Sequence, residues 1–416
     1  MPPPVYGRVM ERGARFSSFR HSAFRRYFAA RFITACSTQI LATVVAFEIW
    51  EVTRSAAMLG MIGLVQFLPA LLLVMVTGLA ADKLGRRAVM GTSIGVEMLC
   101  ALSILALALT GNFRAVPVLG VLVIFGTARA FFSPASSSLV VNLVPKPDFA
   151  NAIGWVTLTW QLASIIGPAI GGVLHLLSAK LAFGISGVLF AVSMTLIFSI
   201  PKPEQSYETK ANSWHTLTEG FRYIWKTKIV LGAISLDLFA VLLGGAVALL
   251  PIYADEILNI GKLGNGLLRA APGVGAVTMI GLLLIFPIRD HAGKILFVTV
   301  GLFGLATAVF GISALPWLSV LALIAVGAFD MISVYIREIL LQLWTPDNVR
   351  GRVNAVNSIF LGASNELGEA RAGFMAARLG AILTVAGGGV AAIGVAGLWA
   401  YLFPDLRNAR RLEKEE

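Results

Sequence analysis

The sequence predicts an all-α membrane protein with twelve transmembrane helices in two six-helix bundles, and three observations predict it. Of 416 residues, 57% are hydrophobic and only 13% charged, against about 25% charged in a soluble globular chain. Apolar runs of 20 or more residues, each long enough to cross a bilayer as a helix, recur along nearly the whole length. One polar stretch, 201–228, interrupts the rhythm of short turns and divides six runs from six.

The chain opens on an arm, 1–23, within a polar stretch that carries Arg8, Arg12, Arg15, Arg20, Arg25 and Arg26 before the first apolar run is under way. It has no apolar core of a signal peptide, so the arm is expected to stay in the cytoplasm and send the first span outward. The spans are expected near 24–50, 55–81, 89–110, 115–143, 149–176, 178–200, 228–256, 263–287, 293–314, 316–344, 350–376 and 380–404. With that orientation the even-numbered turns and both ends hold Lys83, Arg86, Arg87, Lys146, Arg289, Lys294, Arg350, Arg352, Arg407, Arg410 and Arg411. The outer turns hold only Arg54, Arg114, Lys180, Lys262 and Arg269. This asymmetry predicts a multi-pass membrane protein with both termini cytoplasmic.

After the second run comes Gly78-Leu-Ala-Ala-Asp82-Lys83-Leu-Gly85-Arg86-Arg87. Its charges cannot lie in hydrocarbon, so it is an aqueous hairpin at the cytoplasmic surface. Within the central polar stretch, Trp214, Leu217, Phe221, Ile224 and Trp225 recur at helical spacing among His215, Glu219, Arg222 and Lys226. That pattern predicts an amphipathic helix lying on the inner membrane surface and tethering the halves. The parsing is therefore an N-terminal bundle 24–200, a linker 201–227, a C-terminal bundle 228–404 and a tail 405–416. The halves also repeat each other: LVPKPDFANAIG after span four corresponds to LWTPDNVRGRVNAVN after span ten, each with Asn-Ala at 151–152 and 354–355. The opening hairpin has a weaker counterpart in which Asp290, Gly293 and Lys294 stand for Asp82, Gly85 and Arg86.

Several chemistries are excluded. The net charge of +11 sits in short loops, where topology explains it, and no nucleic-acid partner is expected. Cys36 and Cys100 fall inside apolar runs, while His21, His175, His215 and His291 lie at span ends or in loops apart from them, so neither a disulfide nor a metal site is expected. There is no Walker A sequence, no cofactor motif and no nucleophile–base–acid set, so the chain is not expected to be an enzyme. What stands out instead is charge at mid-membrane depth: Arg129, Asp237, Asp330, Glu366 and Glu369. Each costs at least ~2.5 kcal/mol to insert and needs a partner or a use.

The hairpin matches the signature GxxxD(R/K)xGRR at Gly78, Asp82, Lys83, Gly85, Arg86 and Arg87, and on it the chain resembles the major facilitator superfamily (MFS). Span five adds Gly154 and then Gly167-Pro168-Ala169-Ile170-Gly171-Gly172, similar to that family's antiporter motif, with Ala163 where a glycine is expected. Phe329-Asp330-Met331-Ile332-Ser333, Arg350-Gly351-Arg352-Val353 and Ser364-Asn365-Glu366-Leu367-Gly368-Glu369 resemble the enterobactin-exporter-like, drug–proton antiporter branch. The resemblance implies a protein of the inner membrane and a cavity lined by spans one, four, seven and ten with two, five, eight and eleven beside them. Spans six, nine and twelve, which it turns to lipid, carry no charge at their centres.

On that frame the expected proton-coupling residues are Asp330 first, then Asp237 and the pair Glu366 and Glu369, with Arg129 as counter-charge. Burial opposes ionisation of a carboxylate and a nearby arginine favours it, a competition that a proton-coupled carrier exploits. The alternative use of these charges is a permanent bridge between helices, the expected role of Arg337 with Glu338. Glu97 is assigned to the charge network near the hairpin. In span one, Gln39 and Thr38 are the expected substrate contacts, with hydrogen bonding to the helix backbone as the alternative. Phe131, Phe132 and Phe239 are candidates for stacking on an aromatic substrate. The Gly167–Pro168 and Gly171–Gly172 pairs suit either a gating seam near the outer end or plain close packing. Asp82 and Arg86 are expected to hold the inward gate. The function expected is export of an amphipathic organic molecule, a siderophore or drug-like compound, in exchange for protons. A proton-coupled importer and a non-transporting scaffold or sensor are the alternatives. The expected partners are a small-molecule substrate, protons and the lipid bilayer, and the protein is expected to act as a monomer.

Overall fold

In lipid a backbone must satisfy its polar groups within its own segment, so apolar runs of this length become helices. The computed structural model describes residues 16–202, 213–288 and 290–409. Among them are α1 (Ser22–Thr53), α2 (Ala56–Leu84), α3 (Arg86–Leu109), α4 (Ala115–Leu139), α5 (Phe149–Leu177) and α6 (Ala179–Phe198), then α7 (Ser213–Lys226) in the linker. The second half follows with α8 (Lys228–Gly244), α9 (Gly261–Ile285), α10 (Ala292–Ile312), α11 (Pro316–Trp344), α12 (Asp347–Leu379) and α13 (Ala381–Leu402).

Eleven helical segments of the described residues are long and apolar enough to cross a membrane. The twelfth span, α12, has 33 residues and is about 50 Å long, but Arg350, Arg352, Glu366, Glu369 and Arg371 lower its hydropathy. It lies among other helices, against α2, α7 and α8. The seventh span also departs from the continuous helix expected. It ends as α-helix at Gly244, and Val247–Leu249, Leu250–Ile252 and Tyr253–Ile257 continue it as short 3₁₀, α and π turns. Two successive glycines and Pro251 interrupt the regular bonding there.

Pairing repeats between the halves. In the first, α1 packs on α5 and α6, α2 on α4, and α3 on α4 and α6; in the second, α8 packs on α12 and α13, α9 on α11, and α10 on α11 and α13. The bundles meet through two further pairs, α5 with α9 and α2 with α12. These contacts are close because glycine faces glycine. A Cβ on Gly60 would stand 2.8 Å from Ala370 O and 3.0 Å from Gly373 Cα, and one on Gly172 would stand 3.0 Å from Gly266 Cα.

The hairpin between α2 and α3 is one residue long: Gly85 ends one helix and begins the next at φ 93°, a conformation open to glycine and costly to other residues. Arg86 donates to Ser138 O (3.1 Å) and Asn142 Oδ1 (2.7 Å) at the end of α4, and Arg87 donates to Ile200 O beyond α6. These bonds fasten the hairpin to its own bundle. The side chain of Asp82, and Gly78, lie outside the described residues. In the counterpart turn the positive φ falls on His291 (58°), not on Gly293, so the two hairpins share residues without sharing a conformation.

Each bundle also receives the segment that precedes its first helix on the start of its fifth. Ser18 Oγ donates to Asn151 Oδ1 (2.7 Å), His21 pairs with Asp148 (2.9 Å), and Phe16 and Phe19 pack on Trp155. In the second half α7 docks on α12: Glu219 pairs with Arg352, Tyr223 Oη donates to Trp344 O (2.7 Å), and Phe221 stacks on Phe360. The linker helix is thus fixed to the second bundle, with Trp225 67% exposed. The side chains of Trp214, His215 and Leu217, and residues 1–15, 203–212, 289 and 410–416, lie outside the described residues.

Candidate functional site

Between the bundles lies a cavity of about 550 Å³, within the usual range for a small-molecule site. α1 contributes Arg31, Thr34, Ala35 and Thr38; α2 contributes Gln66, Phe67, Ala70, Leu71 and Thr77; α3 contributes Glu97. α4 adds Gly126, Arg129, Ala130, Phe132, Ser133 and Pro134, α5 adds Thr159 and Trp160, and α12 adds Ala355, Ser358, Ile359, Gly362 and Glu366. All these positions lie at mid-depth or on the half of each helix nearer the face that carries Phe16 and Ala409. The cavity therefore opens toward that face.

The opposite face is shut by contacts between bundles. From α1, Trp50 Nε1 donates to Asp255 Oδ2 (3.1 Å), and Arg54 pairs with Asp255 and approaches Glu256 (3.9 Å). In the reverse sense, Lys262 at the start of α9 reaches Glu51 (3.2 Å) and Glu48 (3.8 Å) on α1. Glu48 Oε1 also lies 2.7 Å from Nε2 of the buried His175 on α5. Asn265 Nδ2 donates to Thr43 O (3.3 Å) beneath them. Glu48, Glu51 and His175 stand close enough to hold a metal ion together, but the Lys262 ammonium already supplies the positive charge that the two carboxylates call for.

The expected residues separate into distinct groups. Thr38, Arg129, Phe132 and Glu366 line the cavity. Gln39 instead packs its stem against Gly167 in the seam of α1 and α5. Phe131 packs into the hydrophobic core. Phe239 does not reach the cavity: it is 38% exposed and lies against Trp399 of α13, ring centroids 5.1 Å apart. Gly167, Pro168, Gly171 and Gly172 form the meeting of α1, α5 and α9, whereas a Cβ on Gly154 would touch nothing within 4 Å.

The mid-membrane charges form two clusters. In the first, Glu366 and Glu369 of α12 have Arg129 of α4 and Arg269 of α9 as their electrostatic neighbours. This group spans both bundles, and a Cβ on Gly63 of α2 would stand 3.0 Å from Glu366 Oε2. The second lies wholly in the C-terminal half: the fully buried Arg337 of α11 pairs with Asp237 of α8, and Asp330 interacts with both.

Three assignments are corrected here. Arg337 does not bridge Glu338, because successive residues on a helix point in different directions; Glu338 accepts from Asn357 Nδ2 instead (3.3 Å). Glu97 belongs to the cavity opposite Arg129, not to the hairpin network, being eleven residues and about 16 Å along α3 from Arg86. Arg269, expected in an outer turn, sits two turns inside α9 beside the two glutamates. Arg129 is accordingly the neighbour of Glu97, Glu366 and Glu369, while Arg337 serves Asp237 and Asp330. Arg31 is a site residue that sequence reasoning passed over, while Glu97 and Arg269 are ones it assigned elsewhere. The signal available for Arg31 was its place nine residues past the start of α1.

The family model of the Major Facilitator Superfamily matches residues 27–336. Over 410 residues the chain is 28% identical to a protein of Citrobacter koseri named enterobactin exporter EntS, covering 94% of each chain. It is 27% identical over 406 residues to the protein of that name from Salmonella typhimurium, covering 95% of this chain and 94% of that one. Among solved structures, a D-xylose–proton symporter superposes with a TM-score of 0.71 at 12% identity, covering 93% of this chain and 98% of that one. A bacterial homologue of the human lysosomal transporter Spinster, in an inward-facing unoccupied conformation, gives a TM-score of 0.68 at 16% identity, covering 96% and 97%. At such identities the two structures bear on the fold alone.

Proposed function

Since the chain belongs to the Major Facilitator Superfamily and is a membrane transporter, we propose that it exports an amphipathic organic molecule, of the siderophore or drug-like class, by proton antiport through alternating access. The observation that carries this reading is the charge cluster shared by the bundles: Glu366 and Glu369 on one side, Arg129 on the other, with Arg269 beside the glutamates.

Two carboxylates three residues apart share a helix face, and in a low dielectric they cannot both hold charge cheaply. The pair is suited to carrying a proton. When the bundles rock, Arg129 leaves with the N-terminal half and Arg269 stays, so the charge compensating the glutamates changes with conformation. That is what coupling requires, because a ligand shifts an equilibrium only by its differential affinity for the two states. Asp237, Asp330 and Arg337 lie in one bundle that moves as a body, and their environment changes less. Glu366 and Glu369 therefore rank ahead of Asp330, which is assigned with Asp237 to holding α8 and α11 together.

Export is favoured over import by the similarity across nearly the full chain to proteins named as enterobactin exporters. In this reading the face bearing Phe16 and Ala409 is cytoplasmic, the membrane is the inner one, and each monomer encloses its own path. The conformation described is inward-facing, with Arg54, Lys262 and the glycine seams closing the outer side.

Inverted membrane vesicles energised to an acid interior test the proposal. Accumulation of a catecholate or drug-like fluorophore that is abolished by an uncoupler, and by Glu366→Gln, is expected. Gradient-driven movement out of the vesicles would establish import instead, and no gradient-dependent movement of any compound in a broad panel would overturn both.

A further inference from the structure

The cavity's charges do not balance locally. Arg129 has Glu97 and Glu366 as neighbours, and Glu366 has Arg269 as well. Arg31 also lines the cavity; like Arg129 it has no carboxylate within ion-pair distance among the described residues, and what sets it apart is a fixed hydroxyl partner. Its guanidinium donates from Nη1 to Ser136 Oγ on α4. That serine is itself held by the fully buried Tyr27, whose Oη stands 3.0 Å from Ser136 Oγ and donates to Ser136 O at 2.9 Å.

One edge of the guanidinium is thus fixed by a buried hydroxyl pair. A guanidinium has five donors in a planar fork, and the others remain for the cavity. Nine residues past Ser22, about 14 Å along α1, the group lies on the stretch of that helix that lines the cavity. Phe67, Phe132 and Trp160 supply aromatic surface in the same cavity.

We propose that Arg31 is the charge selector of this cavity, receiving the acidic group of an anionic aromatic substrate while Ser136 and Tyr27 hold it in place. The fork matches two neighbouring oxygens of a carboxylate in bidentate fashion, and the rings cover the apolar body. The inference rests on the transport reading, since it names the substrate class of the same cavity.

The test is equilibrium binding to the purified full chain in lipid nanodiscs with no gradient, using 2,3-dihydroxybenzoate and its uncharged amide. The wild type is expected to prefer the acid by roughly tenfold to a hundredfold, the effect of a charge-assisted bond. R31Q should abolish that preference, weakening the acid by roughly tenfold or more relative to the amide. R31K, which keeps the charge and loses the fork, should retain part of it. Equal loss of both compounds in a monodisperse R31Q protein would overturn the proposal, as would an unchanged preference or no binding of the acid by the wild type. Because no gradient is used, Arg31-dependent binding without any driven transport would defeat the export reading and leave this one standing. Driven export with no Arg31-dependent preference would do the reverse.

Discussion

A methyl group placed at Gly60 should push the protein toward its outward-open form. The added Cβ would stand 2.8 Å from Ala370 O, 3.0 Å from Gly373 Cα and 3.3 Å from Ala370 Cα, and all three are backbone atoms of α12 that no side-chain rotation can move. Overpacking of this kind costs about 1–3 kcal/mol. The cost falls only on the state in which the outer halves of α2 and α12 touch, so the closed-to-open equilibrium should shift by about 5- to 150-fold. The reporter is Thr43→Cys, a position with 0% exposure beneath the outer closure, in a background lacking Cys36 and Cys100. Its modification by a bulky maleimide should accelerate in Gly60→Ala by that factor, up to saturation of the open state. Gly154→Ala is the control, since a Cβ there meets nothing within 4 Å and the labelling rate should not change. Unchanged or slower labelling in Gly60→Ala would refute the assignment of this seam to the outer closure.

Other expectations can be checked with similar means. Arg337→Met leaves Asp237 and Asp330 without their cation and should destabilise the protein by about 3–5 kcal/mol; thermal unfolding in detergent measures this, and adding Asp237→Leu and Asp330→Asn should recover most of the loss. Lys262→Gln removes a partly exposed ion pair across the outer closure and should favour the open state by only about 0.2–1 kcal/mol, read as at most a fivefold rise in Thr43→Cys labelling. Gly85→Ala forces a side chain into φ 93° and should cost about 1–3 kcal/mol, seen as a lower unfolding temperature with the cavity's binding properties retained. Glu366→Gln should release transport from the pH gradient: facilitated equilibration of substrate persists while accumulation against its gradient ceases. Accumulation equal to wild type would remove Glu366 from the coupling path.

The fold was legible because a bilayer admits so few solutions. Runs of apolar residues had to be helices, Gly85 between two such runs had to be a tight turn, and the polar stretch at 201–228 had to lie between bundles. Hydropathy alone mishandles α12, whose charges make sense only once neighbouring helices surround them. The site was legible in depth but not in partnership. Glu366 and Glu369 could be placed near mid-membrane by counting residues, yet their neighbours Arg129 and Arg269 come from helices far away in sequence. Arg269 was hidden because it was counted with the outer turn although the expected span, 263–287, already contained it, and α9 from Gly261 places it two turns inside. Arg31 was masked by the arginine-rich arm before it, where topology explains every positive charge. Arg337 had an acidic neighbour in Glu338, but the helix turns the two apart and Asp237 arrives from α8.

The two charge clusters show why depth and burial are insufficient to identify a coupling residue. Both hold carboxylates beside arginines inside the membrane, and sequence alone ranks Asp330 first. What separates them is whether the pairing crosses the line along which the molecule moves. Asp237 and Arg337 belong to helices of one bundle, so rocking preserves their contact and their net effect is cohesion. Glu366 approaches Gly63 of the other bundle and has Arg129 of that bundle as an electrostatic neighbour, so a rocking of the bundles alters both. Under the proposed antiport, protonation would supply a neutral form that tolerates separation from Arg129, and the charged form would favour return. The same division would apply to substrate: Arg31 is carried on the bundle opposite Glu366, so an anion bound to it as proposed would travel with the N-terminal half. On the proposed reading, loading of the cavity and loading of the glutamates would act on the two bodies whose relative position is the transport step.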